Sequence, residues 1–136
     1  NYIDAIVYFC EINELEVEPN IILLGDFNED PDDNNVLQLE SAGLTNLMTA
    51  MIDKQDISTY IYRGTNYLYD QIIVSNSILD EKGFTLADST AYILDLPKYR
   101  QQKGKYKNYP FRFWAGNKLL GGYSDHLAVK VNFVIK

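Results

Sequence analysis

The sequence has 136 residues, the size of one domain, and its 46% hydrophobic and 13% aromatic content can build a buried core. No apolar run approaches the roughly 20 residues that a membrane-spanning helix needs. The net charge of −7 argues against a protein that holds long DNA by bulk electrostatics, and the single cysteine excludes an internal disulfide.

The first elements are predicted from apolar spacing. Residues 2–16 repeat apolar positions at helical intervals, which predicts an amphipathic helix with Cys10 as a buried thiol. The continuous apolar run Ile21–Leu24 predicts a strand buried on both faces. Residues 25–35 are rich in Asp, Asn and Pro, and are predicted to form a loop at the end of that strand.

The middle of the chain predicts helices followed by a hairpin. Residues 34–41 are expected to form a short helix, and residues 44–51 a second one. Residues 58–62 and 67–74 are rich in Tyr, Ile and Thr and are predicted to be strands. The turn-forming residues 63–66 join them.

The last third predicts two more strands around a long loop. Residues 84–94 contain one strand, and residues 95–122 form a Pro-, Gly-, Lys- and Tyr-rich segment whose length is typical of a functional or mobile loop. Residues 127–136 alternate apolar and polar side chains, as in a strand with one buried face. Strands outnumber helices, so we expect one α/β (α+β) domain packed in layers.

Gly25-Asp26-Phe27-Asn28 is the first motif that could carry chemistry. The side chains of Asp26 and Asn28, two residues apart at a strand end, project into the same space and could orient a water and hold a phosphate oxygen. An Asx turn explains the same residues equally well.

Ser124-Asp125-His126 is the second motif, and it lies just before the last strand, after two glycines that would permit close approach of a ligand. His126 is the only histidine, and a lone histidine is more often structural than functional. A neighbouring carboxylate would hold its tautomer. Asp125 could instead serve as an oxygen ligand for Mg²⁺.

Asp70 interrupts a strand-like run, where a charged side chain needs either a partner or a function. The alternative is a charge that protects an edge strand from aggregation. Other reaction types fit poorly, since the sequence lacks a nucleophile elbow, a Walker loop, a dinucleotide fingerprint and Cys/His zinc spacing.

Residues 98–118 contain seven basic residues and no acidic ones. The segment is either a solvated loop or a basic flap over an anionic substrate. Its aromatic residues could stack on bases or could simply pack the loop. We predict that Arg112 and Trp114 in this segment, and Tyr60 in the hairpin, contact substrate.

The order of these three elements resembles the endonuclease/exonuclease/phosphatase superfamily, which includes deoxyribonuclease-I-like enzymes, exonuclease-III-like enzymes and sphingomyelinases. The wider strings resemble one bacterial branch of it: residues 59–64, 70–75, 110–112 and 121–126.

The resemblance implies a metal-dependent phosphoester hydrolase of the phosphodiesterase, nuclease or phosphatase type, using Mg²⁺ or Mn²⁺. Asp26 would activate the attacking water, and Asn28 would bond the scissile phosphate. Asp70 would hold the ring of His126, which would contact the phosphate, and Asp125 would help bind the metal.

The sequence departs from the family in its first half. The resemblance implies a four-layer α/β/β/α sandwich whose N-terminal half carries a metal-binding Glu, and residues 1–136 correspond to the C-terminal half of that domain. We therefore expect a partial domain that is inactive or barely active alone and that forms a homodimer through the exposed sheet face.

Substrate and function class are left partly open. The substrate is expected to be a phosphorylated small molecule, a lipid headgroup or a nucleic acid, with a preference for the first two over duplex DNA. The alternative function is a non-enzymatic binding module that retains the fold, and a carbohydrate-binding β-rich domain is a more distant third. Localisation is unassigned, and export of the full-length protein is left open.

Overall fold

The computed structural model describes residues 19–54, 56–88 and 90–136, so the predicted helix over 2–16 and its Cys10 lie outside the described residues. None of the described helices is long and apolar enough to cross a membrane. The elements in chain order are β1 Ile22–Asp26, α1 Asn34–Ser41, β2 Leu44–Asn46, β3 Tyr60–Tyr62, β4 Thr65–Tyr67, β5 Asp70–Ser75, β6 Phe84–Leu86, β7 Tyr92–Ile93, β8 Trp114–Ala115, β9 Lys118–Leu119, β10 Val129–Lys130 and β11 Phe133–Ile135, with 3₁₀ turns at Thr49–Met51, Asn76–Ile78 and Pro97–Tyr99.

A three-stranded antiparallel sheet positions the rest of the molecule, in the order β1-β5-β2. Strand β5 is the central strand, and its residues from Gln71 to Ser75 are all buried. The register of β1 on β5 pairs Asp26 with Asp70. The sheet therefore brings the two carboxylates that the sequence singled out to one of its ends.

Alternate residues of β5 pack on opposite faces. Ile72 and Val74 join the larger core, formed with the 3₁₀ turns and β6, while Ile73 packs against Val36 and Leu39 of α1. The mixed α/β class with mainly antiparallel strands is therefore confirmed.

The prediction that the first strand is buried on both faces is wrong for Leu24, whose side chain is 69% exposed. Strand β1 pairs on one side with β5, and within the described part of the chain it is an edge of its sheet. The predicted 25–35 loop also begins later, since β1 continues through Asp26.

The predicted helix over 34–41 is confirmed as α1, but the second helix over 44–51 is wrong. Those residues form β2, paired with β5, and then a 3₁₀ turn. The buried Asn46 accounts for the change, because its side-chain oxygen accepts the N–H of Met48 at 2.9 Å and its amide donates to Gln71 at 3.0 Å. A side chain that bonds nearby backbone in this way competes with helix formation.

The predicted hairpin is confirmed in a tighter form. Strands β3 and β4 pair antiparallel around Arg63 and Gly64, both of which have positive φ, and the single strand predicted over 67–74 divides into β4 and β5. The chain bends between them at Leu68, whose N–H donates to the carboxylate of Asp30.

The strands predicted over 84–94 and 127–136 each divide in two. Strand β10 pairs with β7, and β11 pairs with β6, so the two halves form a bent antiparallel ribbon. The predicted alternation fails at Ile135, which is 82% exposed because it lies at the outer end of the ribbon. The segment 95–122 is not a plain loop, since it contains the β8–β9 hairpin.

Candidate active site

The side chains of His126 and Asp70 form the centre of the site. His126 Nδ1 lies 2.7 Å from Asp70 Oδ2, a hydrogen-bond distance. The two side chains are only 22% and 15% exposed. Asp70 lies on the central strand β5, so the alternative that it guards a sheet edge is wrong.

Asp26 approaches the other nitrogen of the same ring. Its Oδ2 lies 3.9 Å from His126 Nε2, because the sheet register places Asp26 opposite Asp70. The imidazole therefore lies between two carboxylates.

Asn28 follows Asp26 through a turn of the Asx type. Asp26 Oδ1 accepts the backbone N–H of Asn28 at 2.9 Å, and Asn28 has a φ of 53°, in the left-handed region. The turn explanation and the site explanation are compatible, because the turn holds the exposed Asn28 next to Asp26.

Thr59 positions both Asp70 and His126, a role that the family-like string 59–64 did not indicate. This fully buried residue accepts the N–H of Asp70 on its hydroxyl oxygen at 3.2 Å, and its carbonyl accepts the N–H of Leu127 at 2.8 Å. His126 makes a bridge to Tyr60, and its N–H donates to Ser124 Oγ at 3.0 Å. Local backbone bonds thus fix the ring of His126 on one side of the hairpin.

Tyr60 covers the ring of His126. The two ring centroids are 4.7 Å apart with planes 23° apart, and Tyr69 stacks on Tyr60 at 5.6 Å. Burial, with Tyr67 and the carboxylate of Asp30 adding to it, raises the pKa of Tyr69, so this hydroxyl keeps its proton at neutral pH.

Asp125 forms an ion pair with Arg112, its Oδ2 lying 3.3 Å from Nη2. Within residues 19–54, 56–88 and 90–136, no group of three or more His, Cys, Asp or Glu side chains could hold a metal ion. Mg²⁺ needs six near-octahedral ligands, often with one or two carboxylates. The described donors therefore do not fit a complete metal centre.

Gly122 is buried against the chain's own backbone and not against an open ligand space. A Cβ at this position would lie 2.7 Å from the Arg112 carbonyl oxygen and closer still to the carbonyl of Phe111. The prediction that this glycine admits a ligand is therefore wrong. It admits the segment that carries Arg112.

A cleft of about 690 Å³ opens beside these residues, and Tyr60, Arg112 and Asp125 contribute to its wall. Trp114, the third predicted substrate contact, is exposed on β8 and packs edge-on against Phe113 at 5.8 Å. Trp114 does not line this cleft.

Residues 8–135 match the model of a family described as the endonuclease/exonuclease/phosphatase family. Comparison with curated proteins and with solved structures found no match. The family match covers most of the chain, including every residue of the site.

Proposed function

Because this chain belongs to the endonuclease/exonuclease/phosphatase family, we propose that it acts as a hydrolase of phosphoester bonds, with His126 as the central catalytic residue. One observation carries the proposal: a single imidazole is held at 2.7 Å by Asp70 and approached at 3.9 Å by Asp26.

The roles follow from what phosphoryl transfer requires, namely positioning and charge stabilisation more than covalent chemistry. Asp70 accepts a hydrogen bond from the Nδ1–H of His126 and fixes the ring orientation. The Nε2 edge of His126 then faces the phosphate and stabilises negative charge or moves a proton. Asp26 accepts a hydrogen bond from the attacking water, and the amide of Asn28 donates to a phosphate oxygen.

We propose that the reaction depends on Mg²⁺ or Mn²⁺, which would neutralise charge on the phosphate when bound. Asp125 would contribute one oxygen ligand, and at least one further carboxylate would come from outside the described residues. We further propose that residues 1–136 are the C-terminal half of the family's domain and have little activity alone.

The substrate we propose is a phosphorylated small molecule or a lipid headgroup ahead of duplex DNA. The net charge of −7 opposes the counterion-release binding on which non-specific DNA affinity depends.

A binding module without catalysis is the second candidate. The observation that favours it is the Asp125–Arg112 ion pair, which neutralises the predicted metal ligand. Such a module would bind phosphate esters at the same residues but would not turn them over.

The test is hydrolysis of bis-p-nitrophenyl phosphate with Mg²⁺ or Mn²⁺, by this chain and by the full-length protein that carries it. We expect turnover in the full-length protein, its loss on chelation, and a drop of about 10²-fold or more in His126→Ala. Turnover that is unchanged in His126→Ala would remove His126 from the mechanism. Binding without turnover in the full-length protein would favour the binding module.

We also propose that the chain self-associates at the edge strand β1, which bears the exposed Leu24, and not through a sheet face, because both faces of β5 are buried. Light scattering after size exclusion would report a dimer, and Leu24→Gln would shift it to monomer. A monomer in the unsubstituted chain at all concentrations would contradict this.

A further inference from the structure

The cleft beside the site has the size and position of a substrate pocket. Its volume of about 690 Å³ lies within the roughly 300–1,000 Å³ of pockets that bind small molecules. It meets the catalytic centre through two shared residues: Tyr60, which stacks on His126, and Asp125, the neighbour of His126 in sequence.

The wall of the cleft is positively charged, although the chain as a whole is acidic. Arg63, Lys105 and Arg112 line it, and Asp125 is the one carboxylate among its described lining residues. The negative charge of Asp125 offsets the positive charge of Arg112 in their ion pair. Arg63 and Lys105 then supply the net positive charge of the wall. A cleft that is lined mainly by positive charges concentrates anions.

Aromatic rings lead from the catalytic histidine into the same cleft. Tyr62 follows Tyr60 on the same face of β3, and their rings lie 6.5 Å apart with planes only 11° apart. The cleft also contains Tyr106, and Tyr62 and Tyr106 remain 49% and 50% exposed. Exposed aromatic rings in a pocket give a planar ligand group surfaces on which to stack.

The cations and rings occur as pairs. The guanidinium of Arg63 lies 5.1 Å from the ring centre of Tyr62, and the ammonium of Lys105 lies 5.5 Å from that of Tyr106. In each pair the cation lies over the ring, so a positive charge and an aromatic side chain occur together in the cleft. A sugar phosphate or a lipid headgroup would use the cations alone, whereas a planar ring that carries an anion would use both the cations and the rings.

We propose that this cleft binds the part of the substrate remote from the bond that is broken, and that this part combines a planar ring with a negative charge, as in a mononucleotide. Tyr62 and Lys105 are then specificity-determining residues. The ligand of this cleft is a substrate only if the proposed phosphoester hydrolase function holds. Its binding, however, requires no catalysis.

The test measures binding by calorimetry with AMP, adenosine and ribose 5-phosphate, which separate the ring from the charge. We expect AMP to bind about tenfold more tightly than either of the other two. Tyr62→Leu, which keeps a strand-forming side chain, should weaken AMP binding by about tenfold, and Lys105→Gln by about threefold.

Matched controls separate a local effect from a general one. Tyr92→Leu and Lys82→Gln change an exposed Tyr and an exposed Lys away from the cleft, and AMP binding should be unchanged in both. Circular dichroism of each variant checks that the fold is kept.

The outcomes distinguish this inference from the function it builds on. If ribose 5-phosphate binds as tightly as AMP, the rings do not contribute by stacking. If adenosine binds as tightly as AMP, the cations do not contribute to binding. Either result overturns the proposal even if the protein hydrolyses bis-p-nitrophenyl phosphate. Retained AMP binding in His126→Ala, with hydrolysis lost, is the pattern that supports both.

Discussion

Asp70 and His126 are 56 positions apart in the sequence, yet Oδ2 of Asp70 lies 2.7 Å from Nδ1 of His126. Two contacts of Thr59 produce this distance, one to Asp70 and one to Leu127. The geometry is that of a carboxylate that orients an imidazole and sets which ring nitrogen carries the proton.

Asp70→Asn should lower the hydrolysis rate by about 10²-fold or more, with a smaller effect on KM. The amide keeps the size of the side chain but removes its charge, and it can donate to Nδ1, which favours the wrong tautomer of His126. Steady-state kinetics on bis-p-nitrophenyl phosphate give the result. Asp53→Asn, at an exposed acid outside the site, is the matched control. Equal rates in the two variants would show that Asp70 is only structural.

Gly122→Ala should destabilise the fold and disorganise the site together. The added methyl group would overlap the carbonyl of Phe111, which also accepts the N–H of Tyr123, so the backbone must move. We expect a loss of about 1–3 kcal/mol in the free energy of unfolding. Urea denaturation measures it, and Gly104→Ala, where a Cβ meets nothing within 4 Å, gives for comparison the cost of a positive φ, which Gly122 does not have. An unchanged free energy of unfolding in Gly122→Ala would contradict the packing explanation.

Arg63→Asn should stabilise the chain by up to about 1 kcal/mol. Arg63 and Gly64 have φ of 50° and 88° in a two-residue hairpin turn, and Asn-Gly suits such turns better than Arg-Gly. Gly64→Ala should act in the opposite direction and lose about 1 kcal/mol. Thermal unfolding compares the two, and a lower Tm in Arg63→Asn would mean that the cation itself stabilises the turn.

Asp30→Asn should raise stability at neutral pH but not in acid. Burial, and repulsion from Asp33 and Asp32, raise the pKa of Asp30 above its ordinary 3.8, although the hydrogen bond from Leu68 acts against this. A raised pKa means that the folded state holds this proton more tightly than the unfolded state. Its contribution to stability is therefore present below pH 3.8 and lost as pH rises through the folded pKa.

The amide oxygen that Asp30→Asn introduces would still accept the Leu68 N–H without bearing a charge. Melting curves between about pH 3 and pH 7 should therefore show a Tm gain that vanishes at the acid end. Asp53→Asn, at an exposed acid, should show no such trend. A constant gain at all pH values would mean that the charge of Asp30 is not its cause.

Local patterns predicted those parts of the fold that depend on neighbours in sequence. Helix α1 begins and ends where predicted, because the buried Val36 and Leu39 are three residues apart and face one core. The helix predicted over 44–51 was wrong because pairing with β5 and the side-chain bonds of Asn46 outweighed local preference.

The sequence by itself determined the family and which side chains could take part in chemistry. Asp26, Asn28, Asp70 and Asp125-His126 occur in a specific order that can be read without the structure. Only the tertiary structure decided which of them meet. The sheet register and the contacts of Thr59 bring Asp26, Asp70 and His126 together, while Asp125 pairs with Arg112 and Trp114 stays outside the cleft. Contacts between distant segments leave no period in the sequence, so the contacts of Thr59, Tyr62 and Lys105 could be identified only in the folded chain.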